Sequence, residues 1–334
     1  MKTNLHTIKA GVLVLGECEK SLDEELAHLS QSKREFFKAQ MGINKHFIAD
    51  KQSFASDLSI KAIDELLKLT NFDKNELDLL IFASHTPDFY APATSSLIHK
   101  ELQLNSKTTC LDLTNYCTAF LQGLLTAFLH LENKEYKNII LVCASVKSKK
   151  IDPKDSFTYA TLSDSASAFL LSKSNKKDET CFFMQELFSE FALEETFSSS
   201  SYKQGQSEFI KVNNDLFFSL VQEKFPKLLE TFLNKNKALQ YEYFFFHYAN
   251  DFFRKKLLQN LKLDEKLCFS QSLEQFGNLD ANNLSANLIL FNQTKLKDGG
   301  GGKQILLASY GTGMHFMLAS LRLKAFKSKI IKAK

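Results

Sequence analysis

No tryptophan occurs among the 334 residues, so aromatic surface falls to 31 Phe and 9 Tyr. No Cys-x-x-Cys pair occurs either, and the six cysteines are scattered without regular spacing. That argues against a disulfide framework and a structural zinc site, and it suits a reducing cytoplasm. No apolar run reaches the roughly 18 residues that a membrane span needs. The opening stretch MKTNLHTIKAGVLVLGECEK holds only a short apolar segment with acidic residues after it. A secretory signal is therefore not expected. Charge of one sign is not in excess: the net charge of +4 is too mild to argue for nucleic acid. The basic end RLKAFKSKIIKAK (322–334) reads as a solvated tail, with a membrane surface or an acidic partner as the other readings.

What is present is an alternation of strand and helix patterns in a chain long enough for an ample core. Continuous apolar runs at 8–16, 77–85, 107–114, 137–145 and 166–174 read as buried strands. Helical periods fill 55–70, 91–104 and 118–133 between them, the second started by Pro92. The second half repeats the grammar. Strands are expected at 181–191 and 241–249, and helices at 214–235 (bent at Pro226), at 250–263 behind an Asn250 cap, and near 279–293. A turn at 297–303 leads to paired strands at 304–311 and 314–323. Strands apolar at consecutive positions are covered on both faces, so helices should flank the sheets. The likeness of the halves suggests a duplication, divided as 1–175 and 176–334.

Cys117 sits where strand 107–114 gives way to helix 118–133. A helix N-terminus offers free N–H groups and a partial positive charge, which favour a thiolate and could hold an oxyanion. The plainer alternative is a small buried apolar residue, and core filler is the better reading of Cys110 and Cys143. His247 ends the aromatic run YEYFFF and is placed to leave the carboxyl end of a strand, where open α/β sheets put their ligands; it could equally be a satisfied core histidine. Gly277-Asn278, ahead of a helix, reads as a turn and cap or as part of a site. SYGTGM (309–314) is a glycine-bearing bend. The order Cys…His…Asn narrows the chemistry to thiols acting on acyl groups. A papain-like protease shares that order, and His247 lies 130 residues after Cys117, inside the roughly 130–150 expected. The C-G-S-C-W signature is missing, however, and the cysteine lies a third of the way into a strand–helix alternation.

These segments resemble those of the β-ketoacyl-[acyl-carrier-protein] synthase III family. LTNYCTAFLQGLLTAFLHL is similar to its active-site segment, HYAND (247–251) to its His-Gln-Ala-Asn stretch, FGN (276–278) to its Gly-Asn segment, and LASYGTGM to its closing Gly-rich loop. FFKAQMGINKHFI, FASHTPDFYAPATSSLIHKEL and YATLSDSASAFLL match in kind and order, so the likeness runs over roughly 36–323. The resemblance implies an α/β thiolase-like fold, a five-layered αβαβα sandwich of two duplicated halves, forming a homodimer. It implies that Cys117 takes an acyl group from a thioester. His247 and Asn278 would hold the enolate of a decarboxylating malonyl-acyl-carrier-protein extender. The backbone N–H groups of Cys117 and Thr312 would form the oxyanion hole. No metal or redox cofactor is implied.

The same comparison places Phe36, Gln40, Ala91, Phe252 and Tyr310 at substrate-binding positions. Phe36 stands where the family usually has Trp near the coenzyme A adenine, and Gln40 where it has Arg. Phe252 replaces the Arg that meets the carrier protein, a role left to Arg254, Lys255 and Lys256. SDSAS (163–167) replaces a Gly-rich segment but keeps Asp164. Ala91 falls where the partner subunit puts a bulkier side chain into the acyl pocket, which implies room for a longer or branched chain. The expectation is a specialised synthase primed by an acyl-carrier thioester rather than acetyl-coenzyme A. The alternatives are an acyltransferase acting on an alcohol or amine, and a non-catalytic assembly partner.

Overall fold

The computed structural model describes residues 1–4, 6–152, 154–173, 180–192, 196–198, 209–296 and 302–333. Two sheets carry the architecture. The first has six strands, in the order Lys327–Lys332, His6–Leu15, Ser165–Lys173, Asn138–Ser145, Leu79–Ser84, Thr109–Leu113. The second has five: Lys2–Asn4, Thr180–Leu187, His315–Leu323, Lys303–Gly311, Tyr243–Phe246. Helices Ala119–Glu132 and Asn283–Lys295 lie between them. Their apolar side chains merge with both inner sheet faces in one cluster that includes Phe120, Phe128, Phe169, Leu288, Phe291 and Met317. Helix Asn283–Lys295 is buried from Asn283 through Asn292, as a helix with a sheet on either side must be.

Helices Ala55–Thr70 and Thr94–Glu101 cover the outer face of the first sheet through Leu58, Ala62, Leu66 and Ile98. Helices Asn214–Lys235 and Asp251–Leu261 cover the second through Phe225, Leu229, Phe253 and Leu257. The order helix, sheet, helix, sheet, helix is the five-layered αβαβα sandwich of the thiolase fold. Consecutive apolar strand residues thus had two covers, as the sequence pattern required.

Element positions agree closely with the sequence reading, with some differences. Strand 241–249 is shorter, Tyr243–Phe246, so His247 stands just past its end. Helix 214–235 runs through Pro226. Of the turn expected at 297–303, residues 297–301 lie outside the described residues, as does the 174–176 boundary between halves. Each half donates a strand to the other's sheet: Lys2–Asn4 pairs with the second, and Lys327–Lys332 with the first. The basic end is therefore no solvated tail. Its strand runs parallel to His6–Leu15, with Lys327 opposite Ala10 and Lys332 opposite Leu15, and Ile330 and Ile331 pack into different core clusters. Lysines alternating around two isoleucines are what a charged edge strand looks like.

Candidate active site

The parallel strands of the first sheet end on one side, and their connections carry chemistry. His85 follows Leu79–Ser84, Cys117 follows Thr109–Leu113, and Ser145 and Lys147 close Asn138–Ser145. His247 leaves the parallel strand Tyr243–Phe246 of the second sheet. Strand carboxyl ends of α/β sheets are where ligands bind. Here two sheets bring such ends together.

Cys117 lies two residues ahead of helix Ala119–Glu132, in a turn closed by Ala119 N donating to the Tyr116 carbonyl (2.7 Å). The bend after strand Lys303–Gly311 presses on it. Ser309 Oγ donates to the Cys117 carbonyl (2.5 Å), and a Cβ on Gly311 would sit 3.2 Å from Cys117 N. A side chain here would force Cys117 to give way by tenths of an ångström. Thr312 follows in the turn beyond Gly311, half-buried.

The Gly-Asn segment is docked by its backbone. Asn278 N donates to the Thr161 carbonyl, and Ser163 N to the Asn278 carbonyl (both 2.9 Å). Gly277 has φ +77°, and a Cβ there would meet Ser163 Oγ at 2.9 Å, so both conformation and space require glycine. Asn278 Oδ1 accepts from Asp280 N (2.9 Å) and Asn283 Nδ2 (2.9 Å). That leaves Nδ2 as the half of the carboxamide available to a ligand.

Asn283 was not singled out in the sequence, yet it organises the site. Its Oδ1 accepts from Leu279 N (2.9 Å). Its Nδ2 serves Asn278 Oδ1, the Tyr248 carbonyl (3.1 Å) and His247 Nδ1 (3.1 Å). Donation to Nδ1 leaves the imidazole proton on Nε2. Burial pulls the His247 pKa down to about 4, with Lys147 adding to the fall and Asp280 opposing it. The ring is neutral at pH 7, a hydrogen-bond donor without charge.

Asp280 is the second residue the sequence reading missed. It is 2% exposed, with φ +53°, a conformation that Asp tolerates better than most residues. Cys117 Sγ donates to its Oδ1 at 3.0 Å. Its Oδ2 accepts from Ser145 Oγ (3.3 Å) and lies 3.7 Å from Lys147 Nζ and 3.0 Å from His85 Nε2. The His85 contact is close but poorly aligned as a hydrogen bond; that ring stacks on Tyr116 with centroids 4.2 Å apart. Cys117 Sγ, a His247 ring nitrogen and an Asp280 oxygen all lie within 4.8 Å of one another.

Burial alone would raise the Asp280 carboxyl. Lys147 and His85 close by, with the hydrogen bond from Cys117, reverse this and hold it well below the usual carboxylate range. Burial first, then the Asp280 charge, push the Cys117 thiol well above its ordinary value. The expectation of a thiolate favoured by the helix N-terminus is thus corrected: the resting cysteine is a thiol. Asp164 braces the turn that carries Lys147. Its carboxylate accepts from Ala49 N (2.9 Å) and from Ser148 N (3.0 Å) and Oγ.

The remaining predicted residues fall elsewhere. Tyr310 is 1% exposed, and its hydroxyl donates to the His247 carbonyl, so it supports the histidine from behind rather than facing a ligand. Phe36 is 68% exposed, on helix Gln31–Met41, which also carries the half-buried Gln40. That helix meets Asp251–Leu261, where Phe252 is 44% exposed. Arg254 is turned inward, paired with Asp251 (2.6 Å) and Glu265 (2.5 Å). Its charge is spent within the fold; Lys255 also pairs with Asp251 (2.7 Å) but stays largely exposed, and Lys256 lies over the Phe252 ring, 5.9 Å from its centre. A cleft of about 680 Å³ beside Arg254, lined also by Lys38, Gly42, Asp251 and Glu265, contains none of the residues around Cys117. Ala91 is exposed, next to exposed Phe89 and Tyr90.

Comparison with known proteins finds similar sequences and a similar fold. A family model described as 3-oxoacyl-[acyl-carrier-protein (ACP)] synthase III matches residues 111–188, the segment holding Cys117. A putative 3-oxoacyl-[acyl-carrier-protein] synthase 3 of Campylobacter jejuni is 27% identical, over 99% of this chain and 98% of its own length. A β-ketoacyl-[acyl-carrier-protein] synthase III of Limosilactobacillus reuteri is 32% identical over 45% of this chain and 46% of its own. Among solved structures, a 3-oxoacyl-(acyl-carrier protein) synthase from Burkholderia xenovorans superposes with a TM-score of 0.90 at 23% identity, covering 100% of this chain and 98% of that one.

Proposed function

Because the chain is related to the β-ketoacyl-[acyl-carrier-protein] synthase III family, we propose that it catalyses a decarboxylating Claisen condensation between an acyl thioester and malonyl-acyl-carrier protein. The observation that carries this reading is the meeting of Cys117 and neutral His247 at the strand ends of two sheets, with Asn278 tied to that histidine through Asn283. In this reading Cys117 accepts the acyl group. The Nε2–H of His247 and the Nδ2 of Asn278 donate to the carbonyl of the extender and hold the enolate as carbon dioxide leaves. Neither donor carries a charge, which suits an enolate that must form and then be released. The enolate carbon attacks the acyl-Cys117 carbonyl, whose oxygen rests on the N–H groups of Cys117 and Thr312, and a 3-oxoacyl product departs.

Lys255 and Lys256 are assigned to the acidic carrier protein, near Phe252. Phe36 offers an aromatic face without the cation that Gln40 no longer supplies, which supports a carrier-bound primer over a coenzyme A one. A homodimer in the cytoplasm completes the reading, with the exposed 89–92 loop reaching the acyl pocket of a second copy. The test is intact-protein mass after incubation with acyl-coenzyme A and acyl-carrier thioesters, with Cys117→Ala as control. A mass gain lost in the variant, followed by carbon dioxide release from malonyl-carrier, is expected. No gain with any thioester would overturn the reading.

One observation favours a second reading. Transfer of the acyl group to an alcohol or amine needs a base near the acyl-cysteine, and Asp280 supplies one, whereas decarboxylation needs none. Acylation of Cys117 without carbon dioxide release from malonyl-carrier would select acyl transfer.

A further inference from the structure

We infer that Asp280 is a catalytic residue: the base that takes the Cys117 proton as the thiol attacks the acyl donor, and the acid that hands it to the departing thiol. The inference rests on the acylation step of the proposed function and adds a group that step would not otherwise contain. Three features of the geometry carry it. The Cys117 S–H points at Asp280 Oδ1 over 3.0 Å, so donor and acceptor of the proton are already joined. The second oxygen is anchored by Ser145, His85 and Lys147, which is the nucleophile, base and orienting-group arrangement of covalent catalysis. The aspartate itself is buried and held at φ +53°, the kind of sparsely populated backbone conformation that clusters at functional sites. A carboxylate next to a desolvated sulfur also opposes a free thiolate, so the proton must leave while the S–C bond forms rather than before.

The step balances. The Sγ–C bond to the acyl carbon forms as the S–H proton passes to Asp280 Oδ1, and the acyl oxygen takes up the negative charge. When the tetrahedral centre collapses, the donor's C–S bond breaks. The departing sulfur collects the proton from Asp280, whose carboxylate is restored against Lys147. The products are acyl-Cys117 and the free thiol of the donor, with no other reactant.

The test compares the full-length protein with Asp280→Asn, chosen because Asn has the same shape and also accepts a left-handed backbone. Two rates on Cys117 are read: acylation by an acyl thioester, from the mass-shifted fraction over time, and alkylation by iodoacetamide as a function of pH. The groups facing Asp280 are Cys117, Cys143, His85, Lys147 and His247, and only the carboxylate is altered. Loss of the base should slow acylation by about 10²-fold or more. Loss of the neighbouring negative charge should move alkylation to lower pH, making it faster at neutrality. Slower acylation together with an alkylation midpoint moved to lower pH is the signature, since greater access of the reagent to the sulfur speeds alkylation without moving that midpoint. Equal acylation rates in the two proteins would overturn the shuttle alone. Absence of acylation in the unmodified protein would instead overturn the proposed function and the shuttle with it, and slowing of both rates in the variant would reassign Asp280 to scaffolding.

Discussion

Replacing Asn283 by Leu keeps the volume and removes the carboxamide that ties the site together. The side chain donates two N–H groups shared among His247 Nδ1, the Tyr248 carbonyl and Asn278 Oδ1, and accepts from Leu279 N. Every one of these partners belongs to a buried residue, so water does not replace what is lost. A buried polar group left without a partner costs about 1–3 kcal/mol. Asn278 Oδ1 keeps Asp280 N, so His247 Nδ1, the Tyr248 carbonyl and Leu279 N bear the loss. Three such groups give about 3–9 kcal/mol, or a fall in Tm of about 4–12 °C for a chain of this length. The functional effect is separate. With Nδ1 unpartnered, nothing holds the proton on Nε2, and the ring presents a donor only part of the time. Losing one preorganised donor typically costs about 10²-fold or more in rate. Decarboxylation of malonyl-carrier should therefore drop sharply while acylation of Cys117, which does not use His247 as donor, survives. A Tm within 1 °C of the parent with decarboxylation unchanged, both ~zero effects against the figures above, would refute the reasoning.

Stability should also fall as pH drops from about 7 to 4. His247 titrates near 4 in the folded protein and near 6.5 when unfolded, so the unfolded chain binds the extra proton across that window. The gap is worth about 3 kcal/mol, lost on acidification, and buried His6 and His46 with half-buried His315, all depressed mainly by desolvation, add in the same direction. Denaturant unfolding at pH 7 and pH 4.5 checks it, and a flat profile would contradict it. Gly311→Ala should slow Cys117 acylation about 10-fold with little change in thioester affinity, because its Cβ would crowd Cys117 N at 3.2 Å and Cβ at 3.4 Å and shift the nucleophile by tenths of an ångström; single-turnover kinetics separates the two. Deleting 327–334 removes an edge strand and half-buried Ile330 and Ile331. A loss of about 2–3 kcal/mol and concentration-dependent association through the bared His6–Leu15 edge are expected, read by Tm and gel filtration.

Much of this site was legible in the chain. Cys117, His247 and Asn278 lie where strand-to-helix grammar and a recognisable order of short motifs put them, because strand ends, caps and glycine bends are written locally. Asp280 and Asn283 were hidden for a physical reason. In LDANNLSANL a run of Asp and Asn ahead of a helix looks like capping, the commonest use of those residues. Only tertiary contact, bringing Asp280 to Cys117 163 positions away and Asn283 to His247, turns caps into a network. His85 and Lys147 were obscured likewise, as each sits alone after an apolar strand. The terminal strand was misread because its lysines dominate a window whose two isoleucines are its structural content. Arg254 looked like surface because arginine usually is, and its partner Glu265 lies a turn and a helix away.

The departures around Cys117 are consistent with one another as electrostatics. An activated thiolate beside a buried carboxylate would put two negative charges about 3 Å apart, and one ammonium at 3.7 Å from that carboxylate offsets only one of them. The site eases this by keeping the sulfur protonated and the His247 imidazole neutral, with the Asp280 carboxylate set against Lys147 and beside His85. Reactivity then cannot be stored in the resting nucleophile. It has to be generated when a thioester arrives, the carbonyl carbon lowers the proton affinity of the attacking sulfur, and the carboxylate already bonded to that proton receives it. A thiol held in this way is protected from adventitious alkylation and oxidation, both of which require thiolate. In the proposed reaction it becomes nucleophilic only toward a substrate seated on the proposed oxyanion hole.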